Sequence, residues 1–257
     1  MPSRPVVLVT GAARRIGRAI ALDLAAHGFD IALHCHAASA ESAATLDELR
    51  GLGARAEVFA ADLADEAATR DLLPAVAQAF GRVDALVNNA SRFAYDDAAS
   101  FGHAEMQAHW RINTAAPILL AQALHAHLVA RDAQGCVVNL LDQKLANPNP
   151  DYLSYTLSKA ALEAANTLLA QALAPALRVC AVSPGVTLLS GPMTADEFTA
   201  AHRLTPLQRS STPADVAHAV RFLLESPAIT GTTLLVDGGQ HLQAQPRDVL
   251  FLAQDKK

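Results

Sequence analysis

Val6-Val-Leu-Val-Thr10-Gly11-Ala-Ala-Arg14-Arg15-Ile16-Gly17 runs an apolar, β-branched stretch into a glycine-bearing loop. The loop opens into an Ala/Leu-rich segment, Arg15–His27, with apolar residues at helical spacing. Gly11 suits a tight turn, and Gly17 lets the following helix pack close to the strand. The helix N-terminus then presents free N–H groups and a positive dipole end, which suits a pyrophosphate.

The same alternation continues along the chain. Strands are predicted at Val6–Thr10, Asp30–Cys35, Ala56–Ala60, Ala85–Asn88, Gly135–Leu140, Arg178–Ser183 and Thr233–Val236. Helices are predicted at Arg15–His27, Glu41–Leu52, Glu66–Phe80, Glu105–Leu128, Tyr152–Leu173 and Pro213–Leu224. Strands that are apolar throughout are covered on both faces, so the expected fold is α/β. It is one doubly wound Rossmann domain, residues 1–257, with a seven-stranded parallel sheet between two helical layers. The least regular stretch, Pro184–Arg209, reads as mobile, with a substrate lid at 188–209 hinged at Gly191 and Pro192.

Composition narrows the function. The 257 residues are 51% hydrophobic and 18% charged with a net charge of -5, and no basic stripe occurs, which argues against nucleic-acid binding. No run of 18 apolar residues or leader-like layout is present, so a cytoplasmic protein without a membrane span is expected. Cys35, Cys136 and Cys180 read as reduced core thiols. His34-Cys-His36 lacks metal-ligand spacing, so no metal is expected.

In a doubly wound sheet the ligand lies beyond the carboxyl ends of the strands. Those ends carry Thr10–Gly17, Asp62–Leu63, Asn88–Phe93, Asn139–Gln143 and Pro184–Leu189. NAD-selective sites place an acid about 20 residues past the glycine loop. Here the second strand ends in His34-Cys-His36-Ala-Ala-Ser39, and the first acid, Glu41, falls in the helix. With Arg14 in the loop, NADPH is favoured, and Arg14, His36 and Ser39 are candidate 2′-phosphate contacts. Tyr155-Thr-Leu-Ser-Lys159 places a phenol and an ammonium on one helical face. A nearby lysine is expected to lower the phenol's pKa. Lysine is scarce, with only Lys144, Lys159, Lys256 and Lys257 present.

The glycine loop, Asn88-Asn89-Ala90, Asn113, Tyr155/Lys159 and Pro184-Gly185 together resemble the short-chain dehydrogenase/reductase family along the whole chain. The resemblance implies a nicotinamide cofactor, Tyr155 as proton donor, Lys159 on the nicotinamide ribose, and Asn113 anchoring a relay water. It also places Gly11, Ile16, Gly17, Asp62, Leu63, Asn89, Ala90, Ser91, Pro184 and Gly185 against the cofactor. Dimers or tetramers are common in the family, so a homo-oligomer is expected.

Two departures are informative. Arg15 replaces the middle glycine of the loop, and Asp142 replaces the usual catalytic serine. A carboxylate repels a developing alkoxide unless protonated, whereas it suits a substrate with N–H donors. Both departures, with Asn89-Ala-Ser91-Arg-Phe93 and Asp237-Gly-Gly-Gln-His-Leu242, are similar to the pteridine reductases. That likeness implies a small-molecule, pterin-like substrate between Phe93 and the nicotinamide. Arg15, Ser91, Asp142, Tyr155, Val186 and Leu188 would surround it. Arg15 has an alternative role on the pyrophosphate alone, and Phe93 could instead plug a hydrophobic loop. An NADPH-dependent carbonyl reductase, or a pterin- or NADPH-sensing protein without catalysis, are the rival functions. Gln143-Lys144, next to Asp142, fits no part of the pteridine reductase pattern.

Overall fold

The computed structural model describes residues 4–189 and 193–254. Seven strands form one parallel sheet in the order β3-β2-β1-β4-β5-β6-β7. They are β1 Val6–Val9, β2 Asp30–Cys35, β3 Ala56–Ala60, β4 Ala85–Asn88, β5 Gly135–Leu140, β6 Leu177–Pro184 and β7 Thr233–Val236. The order runs outward from β1 in both directions, so the crevice at the β1 and β4 carboxyl ends is the topological switch point.

The period-2 geometry of each strand splits its side chains between two cores. Val7, Val9, Ile31, Leu33, Val138 and Val182 pack under α1 (Arg15–Ala26), α2 (Ala40–Gly51) and α8 (Pro213–Glu225). Val6, Leu8, Leu86, Val137 and Val179 face α3 (Glu66–Phe80), α5 (Ala116–Ala130) and α6 (Leu153–Ala172). Burial on both faces is why these strands read as unbroken apolar runs. Cys35, Cys136 and Cys180 are buried and unpaired.

The structure departs from the sequence reading in three places. The helix expected at Glu105–Leu128 is α4 (His103–Trp110), a π-turn at Arg111–Ala115, and α5. Pro117 has no N–H to offer the Asn113 carbonyl, so an unbroken α-helical ladder cannot run through this point. By length and mean hydropathy, 1.2, His103–Ala130 could cross a membrane. Here it lies in the layer against α3, α6 and the sheet.

The expected irregular segment contains α7 (Ala195–Arg203). Thr194 and Glu197 form a reciprocal capping box, Asp196 and Glu197 sit in its first turn, and His202 and Arg203 in its last. The hinge expected at Gly191 and Pro192 lies outside the described residues. Finally, the C-terminal segment carries a short α9 (Val249–Gln254), which packs against α7.

Candidate active site

A cleft of about 810 Å³ opens across the carboxyl ends of the strands. Its floor is the β1–α1 loop. Gly11 has φ +64°, and a Cβ there would lie 3.0 Å from the Ala90 Cα; one on Gly17 would lie 2.3 Å from the Gly11 carbonyl oxygen. Arg15 occupies the left-handed region at φ +54°, a conformation that glycine adopts freely and arginine rarely. The loop is therefore glycine-shaped at the position where arginine stands. No side chain caps the start of α1, whereas Ser39, Asp65, Thr194 and Thr212 cap α2, α3, α7 and α8. The first-turn N–H groups of α1 stay free for an anion.

Neighbouring strands hold this loop. The Asn89 amide donates to the Thr10 and Gly11 carbonyls at 2.9 and 3.1 Å. Thr10 Oγ1 accepts from the Asn89 and Ala90 N–H groups at 2.9 and 3.0 Å. Buried His34 accepts from the Gly11 N–H through Nδ1 (3.2 Å), leaving Nε2 to donate to the Ala61 carbonyl (3.1 Å). Burial lowers its pKa, so it is a neutral strut between the ends of β1 and β3.

At one end of the cleft stand Arg14, His36, Ser39, Asp62 and Leu63. Arg14 is 68% exposed and 3.9 Å from Glu41, an open pair that leaves its guanidinium available. His36 lies 3.6 Å from Asp62. The Ser39 hydroxyl caps α2.

At the other end, Tyr155 Oη donates to Asp142 Oδ2 at 2.8 Å, and Asp142 Oδ1 accepts the Lys144 N–H at 2.8 Å. Phe93 is 47% exposed and edge-on to Tyr155, with centroids 4.7 Å apart. Ser91, Val186 and Leu188 also face the cleft, with Gly185, Ile16 and Ala90. Arg15 Nη2 donates to the Leu189 carbonyl at 2.9 Å, bridging the phosphate loop to the start of the 188–209 segment. Of that segment's described residues, only Leu188 and Met193 face the cleft, so α7 stands one layer back.

Three expected residues stand behind the cleft wall rather than on it: Asn113, Lys159 and Pro184. The Asn113 side chain is fully engaged. Its Oδ1 accepts from the Arg92 N–H and Ser91 Oγ, and its Nδ2 donates to the Arg92 carbonyl and Ser158 Oγ. Lys159 Nζ donates to the Leu140 carbonyl at 2.6 Å and lies 5.9 Å from the Tyr155 ring. The expected acidification of Tyr155 does not occur in this arrangement. Burial, and then the Asp142 carboxylate, push the phenol well above its ordinary value. Burial likewise raises Asp142 and brings Lys159 down to about 8. Desolvation and a carboxylate at hydrogen-bonding distance outweigh a more distant ammonium.

A family model described as Enoyl-(Acyl carrier protein) reductase matches residues 11–241. The chain belongs to the short-chain dehydrogenase/reductase family. It is an oxidoreductase of that family. Among similar structures is FolM alternative dihydrofolate reductase 1 from Brucella canis, complexed with NADP. It is 40% identical, with a TM-score of 0.90 over 96% of this chain and 98% of that one. Pteridine reductase 1 of Leishmania tarentolae is 34% identical, covering 94% of this chain and 98% of its own. A putative ketoacyl reductase of granaticin polyketide synthase from Streptomyces violaceoruber is 35% identical over the same shares.

This short-chain dehydrogenase/reductase also uses residues that sequence reasoning passed over. Tyr152, at φ +56°, precedes α6 and stacks on Phe93 at 4.3 Å, with 16° between the rings. Its side chain supplies no cap. Instead buried Asp96 accepts the Ser154 N–H at 2.9 Å, and the Ser154 hydroxyl as well. Asp96 thus holds the start of the helix that carries Tyr155. An aspartate far upstream gives no local signal that it caps this helix. The C-terminal residues Gln240, Gln243, Gln245 and Arg247–Leu250 close the outer end of the cleft. Their polar composition reads as a tail.

Proposed function

We propose that this oxidoreductase reduces a dihydropterin to a tetrahydropterin with NADPH. The observation that carries the reading is the Asp142–Tyr155 hydrogen bond of 2.8 Å beside the exposed face of Phe93. The cofactor fits the chain's own residues. Gly11 and Gly17 let the loop close on itself and on Asn89 and Ala90, and the free N-terminus of α1 that it presents complements a pyrophosphate's charge. Arg14, His36 and Ser39, with histidine rather than an acid following β2, suit a 2′-phosphate. When bound, NADPH supplies the hydride for a ring carbon of the substrate's C=N bond.

The protein's part is orientation and the proton. Phe93 offers an aromatic face for a flat heterocycle, and Ser91 and Arg15 offer polar edges. Tyr155 gives its proton to the ring nitrogen next to the carbon that receives hydride. Burial raises the pKa of both Asp142 and Tyr155, which favours the protonated form of each. A protonated Asp142 returns its proton to the phenolate across the same 2.8 Å contact. Asp142 as carboxylate equally accepts from a substrate N–H, a task no neutral serine hydroxyl performs as strongly. The likeness to proteins named pteridine reductase and FolM supports the substrate class.

The raised Asp142 favours one second reading. Held protonated, it could donate to a ketone oxygen, and a relative is named as a putative ketoacyl reductase. Turnover of dihydrobiopterin, dihydromonapterin, dihydrofolate and a small ketone set, followed by nicotinamide absorbance with NADPH and NADH, separates the two. NADPH-dependent pterin turnover is expected; turnover of ketones alone would defeat the pterin reading. The residues 188–209, through Leu188 and Met193, would act as a substrate lid. A cytoplasmic homo-oligomer is consistent with the buried, unpaired cysteines and family habit.

A further inference from the structure

Lys144 is only 5% exposed, although an unpaired lysine is costly to bury and a leucine would fill the same space without a charge. Its groups reach in three directions. The backbone N–H donates to Asp142 Oδ1 at 2.8 Å. The ammonium donates to the Asp151 carbonyl at 2.5 Å and lies 3.5 Å from Asp248 Oδ2. It also sits 5.5 Å from the centre of the Tyr152 ring.

A second ion pair stands beside the first. Asp151, buried, takes Arg247 Nε and Nη2 on its carboxylate at 2.8–3.0 Å and the Asp248 N–H at 2.7 Å. Two consecutive C-terminal residues therefore grip both arms of the catalytic pair. Asp248 holds the turn that follows Asp142, through Lys144. Arg247 holds the loop that leads into α6 and Tyr155, through Asp151. The Asp142–Tyr155 hydrogen bond spans the two arms, so its length depends on the grip.

We propose that Lys144 and Asp248 are positioning residues that clamp the C-terminal segment onto the Asp142–Tyr155 pair and set the geometry and charge at which it gives up its proton. The inference rests on that pair delivering the proton, whatever the reducible substrate. A mere tail anchor would affect stability or substrate KM alone. A clamp also changes kcat and its pH dependence.

The groups facing the pair can be named. They are Lys144 on Asp142's own turn, Lys159, Tyr152 and Asp151 on α6 and its approach, and Arg247 and Asp248 on the C-terminal segment. His109 on α4 has its ring 6.3 Å from that of Tyr155, and Arg15 lies across the cleft. Asp248 bonds to neither member of the pair, so its neutralisation removes no partner from Asp142, which is held by Tyr155 Oη and the Lys144 N–H. Its negative charge raises both Asp142 and Tyr155, behind the larger effect of burial.

The test compares wild type with Lys144→Met, Lys144→Arg and Asp248→Asn, on whichever of dihydropterin or ketone the wild type reduces. Asp248→Asn removes a charge that favours the protonated phenol. The basic limb of the kcat profile is therefore expected to move to lower pH. Lys144→Met is expected to lower kcat roughly 10- to 100-fold, the scale of a misplaced catalytic group. NADPH affinity and thermal midpoint should be little changed, and Lys144→Arg should recover much of kcat. Profiles of Asp248→Asn and wild type that superimpose would overturn the proposal. So would a Lys144→Met enzyme altered only in substrate KM or stability. A wild type that reduces ketones alone defeats the pterin reading and still judges the clamp by the same shift.

Discussion

Asp142→Ser restores the residue type usual at this position and removes the feature on which the pterin reading turns. Asp142 accepts two hydrogen bonds at once, from Tyr155 Oη and from the Lys144 N–H, both at 2.8 Å. A serine oxygen sits one bond closer to the backbone. It can still cap the Lys144 N–H, but it cannot hold the phenol at the same time. Losing a hydrogen bond to a charged group costs about 1.5–3 kcal/mol, which is roughly 10- to 150-fold in kcat/KM when the bond acts in the transition state. The carboxylate also holds the Tyr155 phenol high, second only to burial, so its removal lets the phenol fall back toward its ordinary range. That change helps proton donation to a ketone oxygen. The expected result is opposite movement: dihydropterin kcat/KM down by that factor, ketone kcat/KM up, and NADPH dissociation constant unchanged. Steady-state rates with each substrate and fluorescence titration of NADPH measure all three. Pterin turnover within about twofold of wild type would refute the role given to the carboxylate, since an interaction of this size cannot be lost silently.

Gly17→Ala puts a methyl 2.3 Å from the Gly11 carbonyl oxygen, so the loop must shift; NADPH affinity should fall at least about tenfold. Gly51→Ala, where a methyl meets open space, should leave binding unchanged in the same titration. Asp96→Ala strips the cap from α6 and leaves the Ser154 N–H and hydroxyl unpaired. Thermal unfolding should register a loss of about 1–3 kcal/mol, and kcat should fall with it because Tyr155 lies in the first turn. Deleting Thr194–His202 removes α7 from behind Met193 and α9. Substrate KM should then rise much more than the NADPH dissociation constant, and equal losses in both would argue against a lid.

The strands were legible because a parallel strand covered on both faces is mostly apolar, and such runs stand out between Ala/Leu-rich helices. The site residues at the strand ends followed from the rule that places ligands there. What escaped the sequence depended on distant partners. Lys159 and Tyr155 share a helix face, as their spacing requires. That spacing is silent on the Leu140 carbonyl that takes up the ammonium and on the desolvation that dominates both pKa values. Asn113 was recognised, yet its amide is spent on Arg92, Ser91 and Ser158 rather than facing the cleft. The helix α7 carried a readable capping box, Thr194 with Glu197, but its few apolar positions hid it. The role of Lys144 was not legible, because its partner, Asp248, lies more than 100 residues away in the sequence.

The residues from Asn89 to Asp96 join the two halves of the chemistry mechanically. At the front, Asn89 ties the loop to the Thr10 and Gly11 carbonyls, and so to the phosphate floor. In the middle, the Asn113 amide clasps the Arg92 backbone by both its N–H and its carbonyl, while Arg92 pairs with Glu105. At the back, Phe93 stacks on Tyr152 and Asp96 caps the helix that carries Tyr155. A shift at either end therefore moves the other, and the distance between the phosphate floor and the proton donor is set by one short, fully bonded strip of chain. Such a strip explains why the departures from the family pattern, Arg15 and Asp142, fall on its two flanks. Residues on the flanks can change the substrate's surroundings, whereas a change within the strip would alter the separation that hydride and proton delivery both need.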